Sequence, residues 1–102
     1  MGIGMAGERV TREQWEIVRR GGVRIEVLRR GDIRVVGRTY PVRQLLKALG
    51  YRWDGVNWVK SVGAGETEAV NDGKQLAAHG VSVLVVKRHG YPEDSEVLFY
   101  EE

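Results

Sequence analysis

The sequence contains no cysteine, and among its 102 residues it has only two prolines and two histidines. Without cysteine, the protein has no disulfide, no thiolate nucleophile and no cysteine-ligated zinc site, which fits a reducing compartment. The longest apolar runs, such as Val81–Val86, are far shorter than the roughly 20 residues that a transmembrane helix requires. We therefore expect a cytoplasmic protein that does not associate with membranes.

The sequence also lacks the groups of residues that are typical of an active site. His79 and His89 lie apart in the sequence, and no nucleophile motif accompanies either of them. The glycine-rich residues 63–65 precede a predicted helix, but the Gly-Lys-Ser/Thr of a phosphate-binding loop does not follow them. Residues 19–60 hold only three acidic side chains, whereas a metal-dependent nuclease needs clustered carboxylates. We expect no catalytic activity, no metal and no cofactor.

Charge is distributed unevenly along the chain, although the net charge is only +2. Residues 19–60 hold eleven basic and three acidic side chains, and residues 61–102 hold three basic and eight acidic side chains. A positive face of this kind attracts a polyanion such as nucleic acid, even when the whole protein is nearly neutral. The same pattern also fits two oppositely charged regions that neutralise each other within the fold or between subunits. Charge alone leaves both interpretations open.

Hydrophobic periodicity predicts one folded domain over residues 11–102, after a flexible lead over residues 1–10. Thr11 and Gln14 have the spacing of a capping box, which predicts a helix that runs to Arg20. The remaining pattern predicts helices at 41–49 and 66–78, strands at 23–30, 33–38, 51–53, 57–60 and 81–88, and a short strand-like run at 97–100. This order predicts an α+β fold, with a largely antiparallel sheet of about five strands and helices packed on one face.

The first predicted hairpin combines an apolar face with a basic face. Apolar residues alternate with charged ones in both strands, and strand side chains point alternately to the two sides of a sheet. We therefore expect Arg24, Arg34 and Arg38 to share one face, opposite the valines and isoleucines, where they contact phosphates. Arg43 and Lys47 lie off the apolar stripe of the helix that follows, one turn apart.

The segment YRWDGVNWVK, residues 51–60, predicts a second hairpin that carries three aromatic residues. A two-residue turn places Tyr51 opposite Trp58, whereas a turn over residues 54–57 places Trp53 opposite Trp58. In either register one strand face holds the same four side chains, because strand side chains alternate with a period of two. These four are Tyr51, Trp53, Trp58 and Lys60, and Arg52 is expected to be exposed on the reverse face.

Aromatic rings beside positive charge suit a single-stranded nucleic acid. Bases stack on flat rings with about 1–3 kcal/mol each, while arginine and lysine hold the phosphates. Duplex DNA hides the faces of its bases, so exposed rings favour single strands. Three aromatic side chains on one strand face are also common in the core of a small domain. The solvent exposure of the three rings therefore decides between base stacking and core packing.

The stretch TYPVRQLLKALGYRWDGVNWVK, residues 39–60, together with the basic hairpin before it, resembles the DNA-binding domain of the ThermoDBP-related archaeal single-stranded DNA-binding proteins. The resemblance covers roughly residues 11–90. It implies an α+β domain with a positively charged, aromatic groove, sequence-tolerant binding of single-stranded DNA, and a homo-oligomer, either a dimer or a tetramer. Abundant arginine and few amide side chains also resemble the composition of thermophile proteins. No heptad repeat follows Gly90, in contrast to longer family members with a C-terminal coiled coil, so we expect assembly through a strand at 95–102.

We therefore predict a sequence-tolerant single-stranded DNA-binding protein whose basic, aromatic groove holds phosphates and stacks bases. The residues expected to contact nucleic acid are Arg24, Arg29, Arg30, Arg34, Arg38, Tyr40, Arg43, Lys47, Tyr51, Arg52, Trp53, Trp58 and Lys60. RNA binding and an architectural role on duplex DNA remain open alternatives. A third alternative, of another class, is a protein-interaction module in which the aromatic residues are core and the basic segment meets an acidic protein surface.

Overall fold

A six-stranded mixed sheet is the centre of the fold. The computed structural model describes residues 8–102, in which the strands are β1 (Val23–Val27), β2 (Asp32–Gly37), β3 (Arg52–Trp53), β4 (Trp58–Ser61), β5 (Val83–Lys87) and β6 (Glu96–Glu101). Their order across the sheet is β3-β4-β2-β1-β5-β6, and every neighbouring pair is antiparallel except β1 and β5. The predicted α+β class and largely antiparallel sheet are confirmed. The sheet has six strands and not about five, because the C-terminal run pairs with β5 as a full strand.

In the described part of the chain, three helices accompany the sheet, one before β1 and two between strands. They are α1 (Arg12–Trp15), α2 (Arg43–Ala48) and α3 (Glu66–Ala78), with 3-10 turns at Glu16–Arg20, Tyr40–Val42 and Pro92–Asp94. The predicted capping box is present, because the Thr11 hydroxyl accepts from the Gln14 N–H at 3.0 Å and the Gln14 side chain accepts from the Thr11 N–H at 2.9 Å. Within residues 8–102, none of the helices is long and apolar enough to cross a membrane.

The larger hydrophobic core lies between the sheet and the helices α2 and α3. Alternate residues of β1, β2 and β5 point to this side, as the apolar alternation in the sequence predicts. Leu46 of α2, and Ala69 and Leu76 of α3, are fully buried against them. Gly73 allows α3 to approach the sheet closely, since a Cβ at this position would lie 2.6 Å from Cγ2 of Val85.

A smaller core on the other face of the sheet is covered by the N-terminal helix. Ile17, in the 3-10 extension of α1, is fully buried in a cluster with Leu84 and Val86. These two residues of β5 alternate with Val83 and Val85, which belong to the core under α3. Helices therefore pack on both faces of the sheet, and the expectation of helices on a single face is wrong for the N-terminal helix.

Residues 8–10 belong to the folded domain. The N–H of Val97 donates to the carbonyl of Glu8 at 2.8 Å, and the N–H of Val10 donates to the carbonyl of Ser95 at 2.9 Å. Val10 is also buried in the smaller core. The predicted boundary of the flexible lead at residue 10 is therefore wrong, and the first seven residues of that lead lie outside the described part of the chain.

The turn after β1 provides a stability test of the contact between two loops. Gly31 has a φ of 86°, and a Cβ there would lie 1.3 Å from the carbonyl oxygen of Gly63. Gly55 has a φ of 103°, but nothing lies within 4 Å of the position that its Cβ would take. Both alanine variants carry the strain of a positive φ, about 1–2 kcal/mol, but only Gly31→Ala adds a clash with backbone.

We expect Gly31→Ala to lower the free energy of unfolding by about 2 kcal/mol more than Gly55→Ala does. Urea-induced unfolding of the two variants, followed by circular dichroism, measures this difference. Equal losses would mean that the loops around Gly31 and Gly63 are not held together in solution.

Candidate nucleic-acid interface

The face of the sheet opposite α2 and α3 is uncovered over β3, β4 and β2, and we call it the open face. Strand register aligns Arg52, Val59 and Arg34 across this face, and the alignment continues on the same side of the sheet to the buried residues Glu26 and Val86. Neighbouring strands are about 4.8 Å apart, so Arg52 and Arg34 are separated by roughly 10 Å along the alignment. The predicted placement of Arg34 opposite the apolar core is confirmed.

Glu26 is buried beneath three arginine side chains, and only 2% of it is exposed. Its carboxylate accepts hydrogen bonds from Nε of Arg24 at 2.7 Å, from Nε and Nη2 of Arg34 at 3.2 and 2.6 Å, and from Nη1 of Arg88 at 3.1 Å. One negative charge therefore holds three positive charges, and two of them are left uncompensated. We call Arg24, Arg34, Arg52 and Arg88 the arginine row.

The ionisation of Glu26 depends on these contacts. Burial by itself raises the pKa of the carboxyl group, because a charged group is poorly solvated inside a protein. The hydrogen bonds from Arg34 and Arg24, together with their positive charges, outweigh burial and hold the pKa below its usual value of 4.5. Glu26 is therefore an anion at neutral pH and fixes the positions of the guanidinium groups around it.

Trp15 borders the arginine row where the N-terminal helix covers the sheet. The guanidinium carbon of Arg24 lies 3.7 Å from the centroid of the indole ring, and that of Arg88 lies 5.4 Å from it. Sequence analysis did not assign Trp15, Glu26 or Arg88 to the site. The alternation of β1 could have identified Glu26, which lies two residues from Arg24. Arg88 reaches the site only through the parallel pairing of β1 with β5, which periodicity does not predict.

Three other basic residues predicted to bind nucleic acid lie away from the arginine row. Arg29 and Arg30 are exposed in the turn between β1 and β2. Arg38 follows the last residue of β2 and lines a surface pocket with Pro41 at the end of the sheet. The expectation that Arg38 shares a strand face with Arg34 is therefore wrong, because β2 has ended one residue earlier.

The aromatic hairpin adopts the second of the two predicted registers. Trp53 lies opposite Trp58, with the turn at residues 54–57. The Asp54 carboxylate closes this turn by accepting from two backbone N–H groups, at 2.8 and 2.7 Å. The two indole rings meet edge to face, with their centroids 5.7 Å apart. They point to the side of α2 and α3, and not to the open face.

Two of the three rings in this hairpin are core residues. Tyr51 is 4% exposed and Trp58 is 7% exposed, whereas Trp53 is 53% exposed. The cause is the pairing of β4 with β2, which places Trp58 beside Val35 and so continues the main hydrophobic core. The expectation that Tyr51, Trp58 and Lys60 face a nucleic acid is therefore wrong, and Trp53 alone presents its ring to solvent.

Lys60 and Tyr51 belong to a buried polar network instead. Nζ of Lys60 lies 2.8 Å from the carboxylates of Asp72 and Glu68, and the Tyr51 hydroxyl donates to Asp72 at 2.7 Å. Burial lowers the pKa of Lys60, but the bonds to Asp72 and Glu68 outweigh it and raise that pKa. Burial and the bond to Asp72 raise the pKa of the Tyr51 hydroxyl. Both side chains are thus engaged inside the protein.

Four of the predicted binding residues remain accessible, on or next to α2 and on β3. Tyr40 is 72% exposed, and the guanidinium carbon of Arg43 lies 3.7 Å from the centroid of its ring. Lys47 is exposed on α2, and Trp53 is exposed on the edge strand β3. Trp53 and the helix α2 lie on the opposite side of the sheet from the arginine row. Arg52 is exposed next to Trp53 and points to the open face, as predicted.

The pairing of Glu26 predicts a pH-dependent contribution to stability. Its pKa is lower in the folded protein than in the unfolded chain, so the ionised group stabilises the fold above pH 4.5 and the contribution is lost as the pH falls through the folded pKa. Glu26→Gln should lower the free energy of unfolding by about 3 kcal/mol at pH 7. Urea unfolding should show this difference shrinking as the pH falls below 4.5.

Glu16→Gln is the matched control for Glu26→Gln. Glu16 is more exposed and its ion pairs with Arg12 and Arg19 are long, at 3.5 and 3.7 Å. Its loss should change stability by no more than about 0.5 kcal/mol. A cost for Glu26→Gln that matches this control, or that does not depend on pH, would contradict the assigned role of the buried carboxylate.

No protein-family model, no curated protein and no solved structure matches this chain.

Proposed function

We propose that this protein binds single-stranded DNA with low sequence specificity, holding the phosphates on the arginine row. The observation that carries the proposal is the arrangement of Arg24, Arg34 and Arg88 around one buried carboxylate, with Arg52 aligned beyond them on the same face. Phosphate backbones supply most of the affinity in sequence-tolerant binding, and arginine is well suited to contact them.

The guanidinium groups of the arginine row retain free donors after they have bound Glu26. Each guanidinium carries five N–H donors, whereas Arg34 uses Nε and Nη2 on Glu26 and Arg24 uses Nε on Glu26 and Nη1 on the Trp15 carbonyl. Arg52 is exposed, so its guanidinium group is accessible to a ligand. The remaining donors can bind phosphate oxygens, and the partly immobilised side chains lose less entropy when they do so.

The edge of the sheet favours a single strand as the ligand. β3 is the outermost strand, and its two residues point to opposite faces, with Arg52 on the open face and Trp53 on the helix side. A flexible single strand that crosses the arginine row and bends over this edge places a base against Trp53. Duplex DNA is stiff and its base faces are covered, so it contacts the arginines without reaching that ring.

The proposal also includes the family and the assembly expected from the sequence. The order of the basic hairpin, α2 and the aromatic hairpin supports membership of the ThermoDBP-related archaeal single-stranded DNA-binding proteins. The lack of cysteine supports a cytoplasmic location. β6 is an edge strand, and residues 8–10 pair with its beginning. A second copy therefore has access to its later residues, 98–101, for pairing in a dimer or tetramer.

One observation favours a second candidate of another class, a protein-interaction module. Tyr51 and Trp58 are buried, which leaves fewer rings for stacking than the sequence indicated. In that case the arginine row meets an acidic protein surface. A direct assay of oligonucleotide binding distinguishes the two functions. A protein-interaction module should not bind oligonucleotides at physiological salt concentration.

The arginine row generates a prediction for salt-dependent binding. Arg34→Ala and Arg52→Ala should each weaken the affinity for fluorescein-labelled oligo-dT about fivefold at low salt, because each removes a phosphate contact. Each variant should also lower the slope of log Kd against log salt concentration by about 0.7. Lys74→Ala, on α3, makes the same change in net charge away from the open face and should alter Kd less than twofold. Equal effects of all three variants would reject the arginine row as the binding surface.

Trp53 generates a separate prediction for base stacking. Trp53→Ala should weaken oligo-dT binding by about 1 kcal/mol or more, while Trp53→Phe should retain most of the affinity because a ring is still present. Val56→Ala is the control, since Val56 is 74% exposed in the same turn but has no ring. Fluorescence anisotropy with oligo-dT, an RNA oligomer and a duplex as competitors measures these effects. An affinity for oligo-dT that is unchanged in Trp53→Ala would place the whole ligand on the open face.

A further inference from the structure

A surface pocket lies next to the arginine row. It has a volume of about 300 Å³ and lies between α1 and the 3-10 turn at Pro92–Asp94. Its apolar walls are Val10, Trp15 and Pro92, and its polar groups include Arg12, Glu16 and Glu93. A mainly apolar cavity of this size with a few polar groups is typical of a small-ligand site.

Trp15 makes the pocket continuous with the arginine row. The same indole ring that lines the pocket lies 3.7 Å from the guanidinium carbon of Arg24 and 5.4 Å from that of Arg88. The side chains of Arg24 and Arg88 are only 12% and 21% exposed, so a phosphate that reaches their free donors lies beside Trp15 and has its nucleoside next to the pocket. The flat indole and the ring of Pro92 form walls that suit a planar heterocycle.

The charge of the pocket determines which part of a nucleotide enters it. Glu16 and Glu93 outnumber Arg12 among the charged groups of the pocket, so its lining disfavours a phosphate and accepts a neutral group. Ionised carboxylates only accept hydrogen bonds, whereas exocyclic amino groups of bases only donate them. The ion pairs of Glu16 with Arg12 and Arg19, at 3.5 and 3.7 Å, both involve Oε2, which leaves Oε1 to accept from a ligand. Thymine and uracil have carbonyl oxygens where cytosine has its amino group.

We propose that this pocket binds one nucleobase with an exocyclic amino group, such as cytosine, at the end of the arginine row. The inference rests on the proposed function, and it adds a base preference at one position of an otherwise sequence-tolerant site. Stacking against Trp15 and Pro92 holds the ring, and Glu93 and Glu16 accept from the amino group.

The experiment compares the affinities of oligo-dC and oligo-dT of equal length for the full chain, by fluorescence anisotropy at one salt concentration. Oligo-dC should bind at least about fivefold more tightly than oligo-dT. Glu93→Gln should bring the two affinities to within about twofold, because the amide also donates to a carbonyl of thymine. Glu93 is exposed, so the substitution does not disturb the core. Glu101→Gln makes the same change in charge at the other end of β6 and should leave the preference intact.

The outcomes separate this inference from the proposed function. If neither oligonucleotide binds, both are overturned. If both bind with equal affinity, or if a preference for oligo-dC persists in Glu93→Gln, the base pocket alone is overturned. The cavity would then bind another segment of the chain or a protein partner. A preference that disappears in Glu93→Gln and persists in Glu101→Gln supports the pocket.

Discussion

The carboxylate of Glu26 under three guanidinium groups is the interaction on which the organisation of the open face depends. A charge that is 2% exposed is costly unless it is paired, and its partners come from three separate parts of the chain. Arg24 belongs to β1, Arg34 to β2, and Arg88 follows β5. The same cluster reaches the N-terminal helix, because Arg24 donates to the Trp15 carbonyl at 2.7 Å and its guanidinium covers the Trp15 ring.

Glu26 lowers the net positive charge of the surface. At the same time it fixes the positions of the guanidinium groups that carry this charge. Three arginines on neighbouring strands, about 4.8 Å apart, repel one another and spread into solvent when nothing holds them. With the carboxylate between them, their guanidinium planes are oriented before any ligand arrives. Such a surface attracts a polyanion less strongly at long range. It also loses less conformational entropy when the polyanion binds.

Alternation in the sequence predicts which side chains share a strand face, but not which face becomes the core. The grouping of Trp53, Trp58 and Lys60 is correct, as is the opposite direction of Arg52. Whether that group meets water depends on the neighbour of β4, and its pairing with β2 places Trp58 beside Val35 and Lys60 beside Ile33. Strand order is a property of the whole chain, and local periodicity contains no information about it. The parallel pairing of β1 with β5, which brings Arg88 to Glu26, is unpredictable for the same reason.

The arginine row and the exposed ring of Trp53 lie on different faces of the sheet, which limits the kind of ligand that can contact both. Arg52 and Trp53 are consecutive residues of β3, and strand geometry points them to opposite faces. If these residues were in an interior strand, neighbouring strands on both sides would separate the two faces, and no single ligand could contact both side chains. β3 is an edge strand of only two residues, and nothing pairs with its outer side within residues 8–102. A ligand that engages Arg52 and Trp53 together has to bend around this edge, which a flexible single strand does at little cost and a duplex does not.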